Sequence, residues 1–215
     1  DEEAIRSQLK AMKASPDTFR IFHAPEVIGM DESPVDALRK KPKSSIAIMA
    51  RIASHKQVDA VLSAGNTGAC VAASQLRMRT LEGVVRPGIA VVLPTYNGPI
   101  TICDVGANIA CKPIHLYQYA VMAGSYSHLM LGIQNPRVGI MNIGEEEAKG
   151  TDLIKKTRAL LKSDPNVNFV GNVEGRDLFE GKCDVVICEG FVGNVVLKLT
   201  EGAVEIGRAS CRERV

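Results

Sequence analysis

Five short stretches of this sequence combine glycine with asparagine or acidic residues, and each follows an apolar run that is typical of a buried strand. They are residues 65–68, 104–108, 142–146, 172–177 and 189–194. Glycine lets the main chain of such a turn aim several N–H groups at one point, and asparagine side chains add further donors. Clustered N–H donors favour a negatively charged ligand, so we predict that these turns bind an anion.

The stretch 58–69 shows the pattern most clearly. Its residues 58–62 predict a buried strand, residues 65–68 a turn, and the residues from 69 onward a helix packed closely on a sheet. A helix N-terminus has free N–H groups and the positive end of the helix dipole, which together suit a phosphate. The candidate phosphate-binding residues here are Gly65, Asn66, Thr67 and Gly68. The alternative is an ordinary turn whose glycines allow close packing.

Basic side chains near the turns would strengthen the preference for an anion. Lys112, Lys149 and Arg176 are in place for this, although a surface charge is the more frequent role of such residues. The acidic residues of the turns could cap helices, hold the basic residues or bind a metal ion; they are Asp104, Glu145, Glu146, Glu174 and Glu189. We expect Glu145 and Glu146 to cap a helix, and the sequence predicts neither a metal site nor a cofactor.

Several familiar catalytic patterns do not occur in the sequence. It contains no Gly-x-Ser-x-Gly elbow, no P-loop and no Gly-x-Gly-x-x-Gly dinucleotide fingerprint. Cys103 or Cys111 could accept an acyl group, but no neighbouring residue would activate the thiol. His115 lies within a predicted helix, where a structural role is the more common one.

Composition restricts the class of protein further. The chain has 215 residues, a net charge of +2, 4% aromatic residues and no Trp, which argues against a nucleic-acid partner. Six cysteines without Cys-x-x-Cys spacing indicate free thiols in a reducing cytoplasm. We find no apolar run long enough to span a bilayer.

The elements that must position the turns alternate along the chain. Strands are predicted at 19–24, 58–62, 88–94, 100–105, 137–143, 168–173 and 184–188, with helices at 3–12, 34–38, 45–53, from 69, 113–131, 152–161 and up to 200. Strands alternating with helices predict an α/β fold with a mainly parallel sheet and helices on both faces. The turn at 96–99 adds an antiparallel hairpin. The carboxyl ends of parallel strands share one edge, where such sheets bind ligands.

The turn motifs, in this order, resemble those of the bacterial phosphate acyltransferases of phospholipid synthesis, the PlsX type. The matching stretches are 23–30, 63–69, 104–108, 142–147, 171–177 and 190–198, so the resemblance covers residues 1 to about 205. It implies a fold like those of isopropylmalate dehydrogenase and phosphotransacetylase. It also implies transfer of a fatty acyl group from acyl carrier protein to inorganic phosphate by a cytoplasmic homodimer that contacts the membrane peripherally.

On this basis the site residues are assigned as hypotheses. Phosphate would bind the amides of residues 65–68, with Lys112 or Arg176 adding charge, and would attack the thioester directly. Asn66, Asn108 and Asn194 would donate to the oxyanion, although a structural role in their turns is equally open. The further binding candidates are Gly106, Gly144, Glu145 and Gly193.

The chain also departs from the family pattern. We expect residues 1–205 to be a domain fragment that lacks an N-terminal strand and a C-terminal part, and residues 206–215 to be a non-native tail. Two other functions therefore stay open. One is an acyl-coenzyme A phosphotransacetylase, and the other is a non-catalytic module that docks acyl carrier protein or a membrane.

Overall fold

A computed structural model describes residues 1–212 of the chain. The chain divides into two compact units, Asp1–Leu81 and Glu82–Val215, and residues 213–215 of the second lie outside the described part. The single domain predicted over residues 1–205 stays a prediction.

The first unit contains four helices. They are α1 (Glu2–Ala11), α2 (Pro34–Lys40), α3 (Ser45–Ser54) and α4 (Thr67–Met78). Asp1, Ser44 and Asn66 cap α1, α3 and α4 through their side chains, which satisfies N–H groups that a helix start otherwise leaves unpaired. Small side chains, including Ala37, Ala50, Ala69 and Ala73, fill much of the core between α2, α3 and α4, so these helices pack closely.

The strands predicted at 19–24 and 58–62 are not formed. Both segments lie outside any sheet, and Leu62 is 97% exposed. The single strand-like pairing of the described residues in this unit is an isolated bridge between Glu26 and Ser44. A strand exists only when a neighbour completes its hydrogen-bond ladder, and composition alone does not reveal whether that neighbour is present.

The second unit is built on a five-stranded sheet. Its strands are β1 (Ala90–Thr95), β2 (Gly98–Cys103), β3 (Val138–Met141), β4 (Phe169–Val173) and β5 (Val185–Ile187), arranged in the order β1-β2-β5-β3-β4. β1 and β2 form the predicted antiparallel hairpin, and β2, β5, β3 and β4 run parallel. The prediction of a mainly parallel sheet is therefore confirmed.

Helices cover both faces of this sheet, as predicted. On one face, α5 (Pro113–Leu131) and α6 (Asp152–Ser163) bury Leu116, Tyr119 and Leu161. On the other face, α7 (Gly190–Arg212) and a 3₁₀ helix (Gly175–Phe179) cover a second core around Ile102 and Val186. The two cores hold the sheet rigid, so the ends of its strands are fixed points from which a site can be built.

Helix α7 continues past residue 205 into the segment predicted to be non-native. The helical conformation does not distinguish native from foreign sequence, so that assignment stays a prediction. Within residues 1–212, no helix combines the length and the hydrophobicity that crossing a membrane requires.

Candidate functional site

Four of the five predicted turns meet along one edge of the sheet in the second unit. Residues 104–108, 189–194, 142–146 and 172–177 follow the carboxyl ends of β2, β5, β3 and β4, in that spatial order. Neighbouring strands lie about 4.8 Å apart, so the four ends span roughly 14 Å. The edge is therefore long enough to hold a phosphate beside a second reacting group.

The first of these turns, residues 104–108, is named the Asp104 turn. Asp104 is fully buried, and its carboxylate accepts main-chain N–H bonds from Ile89 (3.0 Å), Ala107 (2.9 Å) and Asn108 (2.7 Å), with a further one from Gly106 (3.1 Å). These bonds satisfy a charge that would otherwise be costly to bury. They also fix the shape of the turn.

The start of α7 lies directly against the Asp104 turn. The N–H of Gly190 donates to the carbonyl of Asn108 at 2.7 Å, and a Cβ at Gly193 would lie 1.9 Å from the carbonyl oxygen of Asp104. Only glycine permits this approach. The next residue of α7, Asn194, lies beside Gly106, at 3.9 Å from where a Cβ of that glycine would be. The close packing thus brings three predicted site residues, Gly106, Gly193 and Asn194, to one place.

The side chain of Asn108 is held by the surrounding structure. Its Nδ2 donates to the carbonyl of Pro87 at 2.7 Å and to the hydroxyl of Tyr119 at 2.8 Å. Its Oδ1 accepts from the exposed guanidinium of Arg86 at 3.4 Å. Both amide hydrogens already have acceptors, so the side chain orders the turn in this conformation.

Lys112 and His115 lie at the start of α5, beside the same turn. Nδ1 of the buried His115 accepts the main-chain N–H of Lys112 at 3.1 Å. Burial lowers the pKa of His115, and the charges of Arg86 and Lys112 lower this pKa further. His115 is therefore held in its neutral form, while the exposed ammonium group of Lys112 has no ion pair with the described residues.

The thiols of this region are poorly suited to nucleophilic attack. Burial raises the pKa of Cys111, and the nearby carboxylate of Asp104 raises this pKa further. The pKa of the deeply buried Cys103 is also raised, again mainly by burial. Both thiols are thus protonated at neutral pH. This agrees with the sequence analysis, which found no residue that would activate either thiol as an acyl acceptor.

The glutamates of the edge cap a helix or hold a basic residue, two of the roles that the sequence leaves open for them. Glu189 caps α7 by accepting the N–H groups of Phe191 (2.8 Å) and Val192 (3.0 Å). The helix capping expected of Glu145 and Glu146 is wrong, because Thr151 caps α6. Glu145 instead pairs with Lys182 at 2.7 Å. Residues between β3 and α6 form a loop long enough to carry both acids away from the helix start.

A charged cluster lies at the ends of β3 and β4; it consists of Glu145, Glu174, Arg176, Asp177 and Lys182. Burial by itself would raise the pKa of Asp177, but the hydrogen bonds from Lys182 and from the main-chain N–H of Glu174 outweigh it and lower this pKa. The hydrogen bonds of Lys182 to Asp177 and Glu145 raise the pKa of Lys182. Arg176 lies 3.4 Å from Glu174, so its charge is partly neutralised within the cluster.

Gly144 lies at the end of β3, next to this cluster. It is buried, and its carbonyl accepts from Nδ2 of Asn142 at 3.1 Å. A Cβ at this position would lie 2.5 Å from a carboxylate oxygen of Glu146, the end of an exposed side chain that can move aside. The predicted part of Gly144 in binding phosphate stays a prediction.

The fifth predicted turn, residues 65–68, belongs to the first unit. Asn66 is the N-cap of α4, where its Oδ1 accepts the N–H of Ala69 at 3.0 Å. Its Nδ2 lies within hydrogen-bond distance of three main-chain carbonyls, those of Gly29, Met30 and Glu32. The N–H groups of Thr67 and Gly68 have no partner among the described residues, as expected in the first turn of a helix. These two amides could donate to a phosphate oxygen, as the sequence predicts.

Comparison with known proteins places the chain in a family. The model of the family described as "Fatty acid synthesis protein" matches residues 1–215. The chain belongs to this family. A protein named phosphate acyltransferase from Nitratidesulfovibrio vulgaris (strain DP4) is 46% identical over 202 residues, which are 94% of this chain and 59% of that protein. A phosphate acyltransferase from Desulforamulus reducens is 48% identical over 202 residues, covering 94% of this chain and 60% of the relative.

The chain thus spans about three fifths of the length of these curated family members.

Solved structures are similar in fold. A phosphotransacetylase from Streptococcus pyogenes matches with a TM-score of 0.66 and 13% identity, over 95% of this chain and 72% of that one. The phosphotransacetylase EutD from Staphylococcus aureus matches with a TM-score of 0.62 and 14% identity, over 95% and 73%. The predicted phosphotransacetylase-like α/β fold is therefore confirmed.

The structure groups the predicted residues of the second unit in two places. Gly106, Asn108, Lys112, Gly193 and Asn194 surround the Asp104 turn, whereas Glu145 and Arg176 belong to the charged cluster. Their roles toward substrate stay predictions. Two contacts of Asn108 were missed from the sequence, Arg86 and Tyr119. The Arg-Pro-Gly run at 86–88 before β1 is the local signal that could have directed attention to Arg86.

Proposed function

We propose that the protein transfers a fatty acyl group from acyl carrier protein to inorganic phosphate, forming an acyl phosphate for phospholipid synthesis. The observation that carries this proposal is the edge of the sheet at which four polar turns follow parallel strands, in a chain whose family relatives are named phosphate acyltransferases. Exposed cations at this edge suit a phosphate, and no covalent enzyme intermediate is needed for the reaction.

The proposed chemistry is a direct displacement. An oxygen of HPO₄²⁻ attacks the thioester carbonyl, a C–O bond forms, and the carbonyl electron pair moves to the oxygen. The intermediate then collapses, the C–S bond breaks, and the departing sulfur takes the remaining phosphate proton. Phosphate is itself a competent nucleophile, so the protein contributes orientation and stabilisation of the oxyanion.

Among the three asparagines assigned to the oxyanion, Asn194 is the best placed. Its side chain is exposed beside Gly106 and makes no hydrogen bond to residues 1–212. The amides of Asn66 and Asn108 are engaged with main-chain carbonyls. We therefore assign the oxyanion donor to Asn194 and a positioning role to the other two. Lys112, with an unpaired ammonium group, would bind phosphate, and Arg176 would add charge from the cluster.

The test measures phosphate-dependent release of thiol from acyl carrier protein loaded with a fatty acid, with hydroxylamine trapping of the acyl phosphate. Wild-type protein should consume the thioester only when phosphate is present. Asn194→Ala should lower the rate about 10²–10³-fold, and Arg176→Ala should raise the phosphate KM. Lys156→Ala, an exposed cation on α6, is the matched control and should behave as wild type.

Acyl-coenzyme A in place of the carrier protein distinguishes the two donors in the same assay. If kcat/KM is higher with acyl-coenzyme A than with the loaded carrier protein, coenzyme A is the acyl donor and the proposal changes accordingly. Binding of the carrier protein without any phosphate-dependent loss of thioester would instead support a docking module. Homodimerisation, a cytoplasmic location and peripheral membrane contact rest on the family resemblance and stay predictions.

A further inference from the structure

Arg86 stands out among the residues of the second unit that the sequence analysis did not select. It is exposed on the segment before β1, and its Nη1 reaches Oδ1 of Asn108 in a long hydrogen bond of 3.4 Å. No carboxylate of residues 1–212 forms an ion pair with it. A guanidinium has five N–H donors, so most of its hydrogen-bonding capacity is open to solvent.

The orientation of Arg86 follows from the way Asn108 is held. Because Pro87 and Tyr119 take both hydrogens of the Asn108 amide, the acceptor Oδ1 must face the guanidinium. Asn108 is in turn anchored to the buried carboxylate of Asp104 through its main-chain N–H at 2.7 Å. A guanidinium positioned by a fixed acceptor loses less side-chain freedom when it binds a ligand.

Neither Arg86 nor Lys112 forms an ion pair with a carboxylate of the described residues. Lys112 follows the Asp104 turn by four residues, at the start of α5, where its main-chain N–H donates to His115. The two nearby carboxylates, Asp104 and Glu189, are both occupied by main-chain N–H groups. This part of the edge therefore carries two cations that lack an ion-pair partner among residues 1–212, and such cations can attract a phosphoryl group.

We propose that Arg86 binds inorganic phosphate together with Lys112, at the Asp104 turn. This assignment rests on the proposed function, because it takes phosphate to be the acyl acceptor. The planar guanidinium can grip two phosphate oxygens at once. Asn194, the proposed oxyanion donor, lies beside Gly106 of the same turn. A phosphoryl group of the acyl donor has the same chemistry, and the experiment separates the two sources.

The first measurement is the binding of inorganic phosphate in the absence of any acyl donor. The broadening of its ³¹P resonance reports the binding. Arg86→Ala should weaken binding about tenfold or more, because a charge-assisted pair is lost. Arg86→Lys keeps the charge but cannot bind two phosphate oxygens with one planar group. Its affinity for phosphate should therefore lie between those of wild type and Arg86→Ala. Lys156→Ala is the control for removing one exposed cation from the same unit and should bind as wild type. Circular dichroism checks that each variant is folded.

The second measurement is steady-state kinetics with both substrates varied. Arg86→Ala should raise the phosphate KM about tenfold and change the donor KM less than twofold. Unchanged phosphate binding, or a rise in the donor KM in place of the phosphate KM, would overturn the assignment. If wild type binds phosphate through Arg86 but transfers no acyl group, the proposed function fails while the binding site stands.

Discussion

Asparagine side chains fix two of the turns through contacts that are distant in sequence. Asn66 reaches main-chain carbonyls 34 to 37 residues away, and Asn108 reaches Pro87 and Tyr119 on either side of it. Residue type and turn context correctly indicated that these amides matter. They left a structural role open but could not indicate which carbonyls the amides bind, because the partners come from other elements.

Asn66→Ala should destabilise the first unit by about 2 kcal/mol, because it removes the cap of α4 and the side-chain donor that the carbonyls of Gly29, Met30 and Glu32 share. Asn66→Asp keeps the capping oxygen but has no N–H to donate, so it should recover only part of the loss. Urea unfolding followed by circular dichroism measures both variants. Equal stability of Asn66→Ala and wild type would show that these bonds are not formed in solution.

Protonation of His115 should cost stability at mildly acidic pH. Its pKa is lowered in the folded state from an ordinary value of 6.5, so the unfolded chain binds the proton more readily. The free energy of unfolding should be full above pH 6.5 and should fall as the pH drops below that value. His115→Asn retains an acceptor for the N–H of Lys112 but does not titrate in this range. Its free energy of unfolding should therefore fall less than that of wild type between pH 7.5 and 5.5. An equal fall in the free energy of unfolding in wild type and His115→Asn would show that other groups cause the pH dependence.

At the scale of the elements, the start of α7 is set by its contact with β2. Gly193 has no room for a side chain, because a Cβ would lie 1.9 Å from the Asp104 carbonyl oxygen and 2.9 Å from the sulfur of Cys188. Gly202, in the same helix, has nothing within 4 Å of its Cβ position. The two glycines therefore provide a matched pair that separates packing from helix propensity.

Gly193→Ala should destabilise the second unit by about 3 kcal/mol or more, since the main chain of either α7 or the Asp104 turn must shift. Gly202→Ala should instead stabilise α7 by at most about 1 kcal/mol, because alanine is the better helix former. Thermal unfolding gives both values. A mild effect of Gly193→Ala would mean that α7 does not pack against β2 as closely as described.

The elements also show what local sequence can predict. The helices at 113–131 and 152–163 and all five strands of the second unit lie where periodicity and turn residues place them. The segments 19–24 and 58–62 have equally strand-like composition, yet no ladder forms along them. The difference lies in the neighbouring strand, which is a property of the tertiary structure and leaves no mark in the segment itself.

At the scale of the whole molecule, the two units differ in how much structure each buries. In the second unit, β5 lies between β2 and β3 and all three of its residues are buried. In the first unit, α1 contains no buried residue, and residues 58–62 are exposed outside any sheet. Sequence composition is similar in the two units, so this contrast could not be predicted from it.

Hydrogen exchange should therefore follow the two units. Amides of β5 and of the buried face of α5 should exchange slowest, since they open only when the second unit unfolds, whereas amides of α1 and residues 58–62 should exchange within the dead time or soon after. Mass spectrometry of peptic fragments at neutral pH resolves these regions. Strong protection of residues 58–62 would show that they are paired in solution, and uniform protection across the chain would show that both units unfold as one.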